Sequence, residues 1–153
     1  MPYEKVCKAF DALDSIGLTS RPAIREVPLE AIVNALRSAG FRFPNQTGSF
    51  IKKFGDNPID LNVATRDEIA RSIPGIGMKL ASMFLRNTRK ENHAVIDVHI
   101  KRYLGERGLL TKSYLQNEIN LKNIAQQMGI SVAELDFNIW EERRIGNRKK
   151  KDN

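Results

Sequence analysis

Apolar residues recur at intervals of three and four along most of the chain, the spacing of helices that bury one face. Val6, Phe10, Leu13 and Ile16 keep it over residues 3–16, and Gly17 stops it. Pro28 opens a second helix with Leu29, Ile32, Val33 and Leu36 on one face, ended by Gly40. Pro44 precedes a third, with Phe50, Ile51 and Phe54, ended by Gly55. Thr65 and Glu68 have the spacing of a capping box and start a short helix to about Ser72. Pro74 and two glycines break the pattern, and another helix runs from about Met78 to Asn87. Asp97 reads as the N-cap of a helix through Leu104, ended by Gly105. Residues 113–128 form a longer helix ended by Gly129. Ser131 and Glu134 repeat the capping-box spacing and open a last helix through Trp140 to about Arg143.

No segment shows the run of alternating β-branched residues of a strand. The pattern predicts an all-α chain: a compact single-domain helical bundle over residues 1–145. A tail at 146–153 follows. Residues 143–153 hold six positive side chains and one negative, without apolar periodicity, so this end is expected to be flexible.

Hydrophobic residues fill 41% of the 153 positions, enough for a core of moderate size. The single cysteine, Cys7, excludes an internal disulfide framework and a four-cysteine zinc or iron–sulfur site. No apolar run approaches the ~18–20 residues of a membrane span. The start, MPYEKVCKAF, carries no apolar signal region. A soluble, monomeric protein of a reducing compartment, cytoplasmic or nuclear, is expected. Net charge is +7 and the sequence pI about 9.7. Such charge suits a polyanion, because phosphate contacts release counterions. It suits a solubilising surface equally well, so motifs must decide.

The segment Ile73-Pro74-Gly75-Ile76-Gly77-Met78-Lys79-Leu80-Ala81-Ser82 is the most informative. Helical sequence flanks it. Glycines at 75 and 77 permit positive φ in a tight turn and leave no side chain between backbone and ligand. The following helix offers free N–H groups and its positive dipole end, which suits a phosphate. Ile76 can pin the turn to the core. An ordinary tight helix–helix turn is the alternative. The apolar-Pro-Gly-apolar-Gly pattern resembles the helix–hairpin–helix DNA-binding element, which implies DNA contacts from Gly75, Ile76, Gly77, Met78 and Ser82.

Lys79 stands two residues after the second hairpin glycine, and Asp97 lies in Ala94-Val95-Ile96-Asp97-Val98-His99-Ile100-Lys101-Arg102-Tyr103. This arrangement resembles the helix–hairpin–helix base-excision glycosylases, most closely the compact archaeal-type 8-oxoguanine DNA glycosylase/AP lyases. Arg42-Phe43-Pro44-Asn45 and Glu134-Leu135-Asp136-Phe137-Asn138-Ile139-Trp140 are also similar to that family, so the resemblance covers about residues 29–145. It implies Lys79 as nucleophile and Asp97 as partner carboxylate, acting on double-stranded DNA with a damaged base, without cofactor or metal.

The chemistry fits these residue types. A free lysine, with a pKa near ~10.4, is neutral only about once in 10³–10⁴ at pH 7. A helix N-terminus and burial beneath DNA both favour the uncharged amine. A fixed anion stabilises the positive charge that builds on the sugar as the base departs. The alternatives are a simple N-cap for Asp97 and a phosphate-contacting surface lysine for Lys79.

In the similar glycosylases a histidine at the position of His99 lies against the DNA backbone; a structural histidine is the alternative. Lys101 and Arg102 are candidate phosphate contacts or a solvated helix face. Trp140 matches a tryptophan that stacks on the flipped base, or is a core residue with Leu135 and Ile139. Met78 or Phe43 can form the opposite wall, and Asp136 can hydrogen-bond the base edge. Relatives have more helices before residue 29, which contribute to the base pocket, so a more open pocket is expected. Three readings stay open: excision of 8-oxoguanine with strand nicking, the same chemistry on another modified base, and a non-catalytic helix–hairpin–helix DNA-binding module.

Overall fold

The computed structural model describes residues 3–149, with side chains over residues 4–143. Among them lie nine helices and no strand: α1 (Tyr3–Asp14), α2 (Arg21–Glu26), α3 (Leu29–Ser38), α4 (Pro44–Gly55), α5 (Arg66–Ser72), α6 (Met78–Arg89), α7 (Val98–Glu106), α8 (Tyr114–Gln127) and α9 (Val132–Lys149). They gather into two compact units, Met1–Ile76 and Gly77–Asn153. The division falls inside the segment 73–82.

In the first unit α3 packs on α1 and α4, and α4 packs on α2. Ala9, Ile32, Leu36 and Ala39 form the buried core, with Leu13 and Ile16 against it. The apolar stripe of residues 3–16 is thus the expected one only in its second half. Phe10 is 74% exposed and Val6 is also exposed, whereas Ala9 is buried. Two overlapping stripes satisfy the same period, and α1 turns its small residue toward α3.

α2 is absent from the periodicity because six residues hold no full apolar face. Its start is local: Ser20 Oγ accepts from Ala23 N–H, and Pro22 follows in the first turn. Its end depends on α4. Lys52 Nζ donates to the carbonyls of Ile24, Arg25 and Val27 at 3.1, 2.7 and 2.8 Å. These are end-of-helix acceptors that would otherwise lack partners. α4 comes close because Gly48 and Gly55 lack side chains. A Cβ on Gly48 would lie 2.7 Å from Val33, and one on Gly55 would lie 2.8 Å from Ile24. Gly55 is thus a packing residue within α4, not its left-handed stop.

In the second unit α7, α8 and α9 pack on one another around Ile100, Leu104, Leu121, Leu135 and Ile139. Gly105 lies inside α7. α9 continues to Lys149 through Gly146, so the expected tail is helical over 146–149; residues 150–153 lie outside the described residues. The capping box at Thr65 and Glu68 is complete, with Thr65 N–H donating to Glu68 Oε2 at 2.7 Å and Glu68 N–H to Thr65 Oγ1 at 3.3 Å.

Candidate active site

The turn at 73–77 uses its two glycines differently. Gly75 has φ +82°, a left-handed conformation that a side chain would strain. A Cβ there would also lie 2.4 Å from the Phe50 ring. Gly77 has φ −101° and ψ −177°, extended backbone open to any residue, and a Cβ there would meet nothing within 4 Å. Gly77 is the N-cap of α6 and offers no side-chain acceptor to the amides of the first turn. α3 and α4 likewise have no side-chain cap, whereas α2, α5, α7 and α8 each have one. The first-turn N–H groups of α6 are left for an external acceptor, the property that an anion site needs.

Lys79 is exposed in that first turn. Residues at 79, 82 and 86 share one face of the helix. Further along it the face turns inward. Ser82 is fully buried and bonded to Tyr114 Oη at 3.2 Å, so its hydroxyl is a structural group and not a DNA contact. Arg86 forms an ion pair with Asp136 of α9.

Between α6 and α7, residues 91–97 have no regular structure, yet Ala94, Val95 and Ile96 are buried. Buried amides need acceptors, and those of Ala94 and Ile96 find theirs on α8. His93 N–H donates to Glu91 O and Asp97 N–H to Val95 O, both at 2.9 Å. Ala94 N–H donates to Glu118 Oε1 and Ile96 N–H to Tyr114 Oη, both at 3.2 Å. Glu118 is itself buried and paired with Lys122 at 2.9 Å. Two residues of α8 thus set the path of the chain into Asp97.

Asp97 caps α7 as its sequence position implied. One oxygen, Oδ1, accepts from His99 N–H at 2.8 Å and Ile100 N–H at 3.0 Å. Oδ2 remains for other chemistry. Burial pushes the Asp136 carboxyl above its ordinary value, Arg86 and the Val95 amide pull against that, and the Asp97 charge adds to the rise. Asp136 and Asp97 are therefore electrostatic neighbours. Trp140 lies one turn beyond Asp136 on α9. It is 42% exposed while Leu135 and Ile139 are buried, so Trp140 is not the core residue that its spacing allowed. Its ring lies 6.3 Å from that of Phe137.

His99 is half-buried, with Nδ1 lacking a partner, and Lys101 and Arg102 are exposed on α7. Ile76 and Met78 are half-buried. Phe43, in the first unit, is exposed beneath the Arg42 guanidinium. Sequence reasoning missed Arg86, Tyr114 and Glu118. Their partners lie far along the chain, and the only local signal was that all three sit on helices flanking Asp97.

A family model described as 8-oxoguanine DNA glycosylase matches residues 2–130. The chain is 36% identical to the 8-oxoguanine DNA glycosylase/AP lyase of Metallosphaera sedula, covering 86% of this chain and 71% of that protein. It is 32% identical to the protein of that name from Thermotoga petrophila, covering 74% of this chain and 62% of the relative. The chain thus spans roughly two thirds of the length of these curated relatives. Among solved structures, the 8-oxoguanine DNA glycosylase of Thermotoga maritima superposes with TM-score 0.70 at 30% identity, covering 86% of this chain and 68% of the other. The Methanocaldococcus jannaschii 8-oxoguanine glycosylase/lyase, in complex with DNA containing 8-oxoguanine, superposes with TM-score 0.67 at 27% identity, covering 92% and 79%.

Proposed function

This chain belongs to the 8-oxoguanine DNA glycosylase family, and from that membership we propose that it excises 8-oxoguanine from duplex DNA and nicks the strand, with Lys79 as nucleophile and Asp97 as its carboxylate. The carrying observation is the preorganised Asp97. Its Oδ1 is held by two amides at the start of α7, on a segment tied by side chains to the helix that carries Lys79.

Neutral Lys79 Nζ attacks C1′ of the deoxyribose as the bond to the base breaks. Asp97 stabilises the developing positive charge and takes a proton from the attacking amine. The sugar ring opens to an imine on Lys79. Loss of a C2′ proton then expels the 3′ phosphate and cuts the strand. The uncapped first turn of α6 and the bare Gly77 backbone serve the DNA phosphates, with His99, Lys101 and Arg102 on α7 as further contacts. Trp140 is the stacking surface for the flipped base, with Asp136 one turn before it on α9 and paired with Arg86 of α6.

Borohydride trapping on a duplex with one 8-oxoguanine tests this. A covalent protein–DNA adduct is expected for the parent chain and none for Lys79→Gln. An undiminished adduct in Lys79→Gln removes Lys79 from the mechanism. An adduct on a duplex with a different modified base, and none on 8-oxoguanine, reassigns the substrate while keeping the chemistry. A chain that binds duplex but yields neither adduct nor nick on any lesion or abasic site is a binding module.

A further inference from the structure

Tyr114 stands at the point where the two halves of the proposed chemistry meet. Its phenol oxygen accepts the Ile96 N–H at 3.2 Å, next to Asp97 in the chain. Its single proton goes to the Ala94 carbonyl at 3.0 Å, and the same oxygen is hydrogen-bonded to Ser82 Oγ at 3.2 Å. Ser82 lies one turn beyond Lys79 on the same face of α6. One oxygen atom therefore joins the helix of the nucleophile to the backbone that carries the carboxylate. Glu118, one turn further along α8, holds the Ala94 amide of the same segment. The second contact keeps the segment on α8 without Tyr114 Oη.

We propose that Tyr114 is a positioning residue for base excision, its phenol fixing the Asp97 segment against the Lys79 helix; this rests on the functional reading above. Reacting groups tolerate little displacement: an error of about 1 Å costs on the order of 100-fold in rate. Removing Oη takes away an acceptor and a donor from buried backbone at once and removes the bond to Ser82 of α6, leaving the Arg86–Asp136 pair as a remaining side-chain tie from that helix. The ring, packed against the core of α7–α9, is unchanged in Tyr114→Phe.

The test uses the full chain and three variants: Tyr114→Phe, Ser82→Ala and both together. Base release is followed with enzyme in excess over an 8-oxoguanine duplex, alongside the Kd for that duplex. Amide hydrogen exchange at Ile96 is measured without DNA. Tyr114→Phe is expected to slow single-turnover release about 10- to 100-fold, with Kd unchanged within about twofold. Exchange at Ile96 rises. Ser82→Ala slows release less, and the double variant is no slower than Tyr114→Phe, because both cut one linkage. A merely structural role would lower the folded fraction or the affinity and leave the rate of the bound, folded enzyme unchanged. The proposal is overturned if Tyr114→Phe releases base within about twofold of the parent, or if the two single effects multiply. Should Tyr114→Phe fail to fold, an unchanged rate in Ser82→Ala overturns it equally. If the parent chain itself releases no base, the functional reading has failed. Exchange at Ile96 then reports separately whether the clamp exists.

Discussion

Gly75 and Gly77 look equivalent in the sequence, and the structure makes opposite predictions for them. Gly75→Ala places a methyl in a left-handed conformation, which costs roughly 1–2 kcal/mol. That methyl would also sit 2.4 Å from Phe50 Cδ2 and 2.8 Å from Cε2. Phe50 belongs to α4 and is half-buried, so its ring must move, at an overpacking cost of about 1–3 kcal/mol. Together these give roughly 2–5 kcal/mol, a fall in Tm on the order of 10 °C. Gly77→Ala meets no protein atom within 4 Å and needs no unusual φ. Its stability should stay level or rise by up to about 1 kcal/mol, because alanine narrows the unfolded ensemble. Its DNA affinity should fall, because the methyl stands on the backbone offered to phosphate. The assay pairs a thermal or urea melt of each variant with a duplex titration at fixed salt. Gly75→Ala melting with the parent would refute the strain and clash reasoning. Gly77→Ala binding duplex as tightly as the parent would refute the ligand-facing role of that backbone.

Asp97→Asn keeps an N-cap acceptor, so its stability should lie within about 1 kcal/mol of the parent, whereas Asp97→Ala should lose roughly 0.5–2 kcal/mol. Both should release base slowly in single-turnover assays with duplex affinity retained; normal turnover by Asp97→Asn would exclude the carboxylate from the chemistry. Arg86→Ala should cost about 3–5 kcal/mol near pH 7, because it strands a buried carboxylate, and less at low pH where Asp136 is protonated. In the parent, the raised Asp136 value means that the folded state holds this proton more tightly than the unfolded chain. Its contribution to stability is therefore complete below the ordinary carboxylate value and is lost as pH rises through the raised one. Relative to Asp136→Asn, the urea midpoint of the parent should fall across that window, and a rising difference would contradict the assignment.

Helix starts were largely legible in the sequence. Thr65, Asp97 and Ser131 each bond amides two or three residues away, so residue type and spacing suffice. The glycine turn before α6 was legible because it too is a matter of a few neighbouring residues. α2 was not, because its C-terminal carbonyls are held by a lysine 25 to 28 residues further on. The exposure of Phe10 was not either, since periodicity gives a stripe but not the direction in which the helix turns it.

The site divides along the same line. The sequence by itself determined that the chain is helical, that a glycine turn precedes Lys79, and that Asp97 begins a helix, because each is a matter of a few neighbouring residues. Only the tertiary structure decided that Gly75 is required by conformation and packing while Gly77 is not, that Ser82 faces inward, and that Trp140 stays at the surface. It alone brought Asp136 to Arg86, and Glu118 and Tyr114 to the amides of Ala94 and Ile96. Those amides lack helix or strand partners of their own, and the acceptors that satisfy them come from helices 18 or more positions away in the chain. No local pattern records which side chains will arrive there.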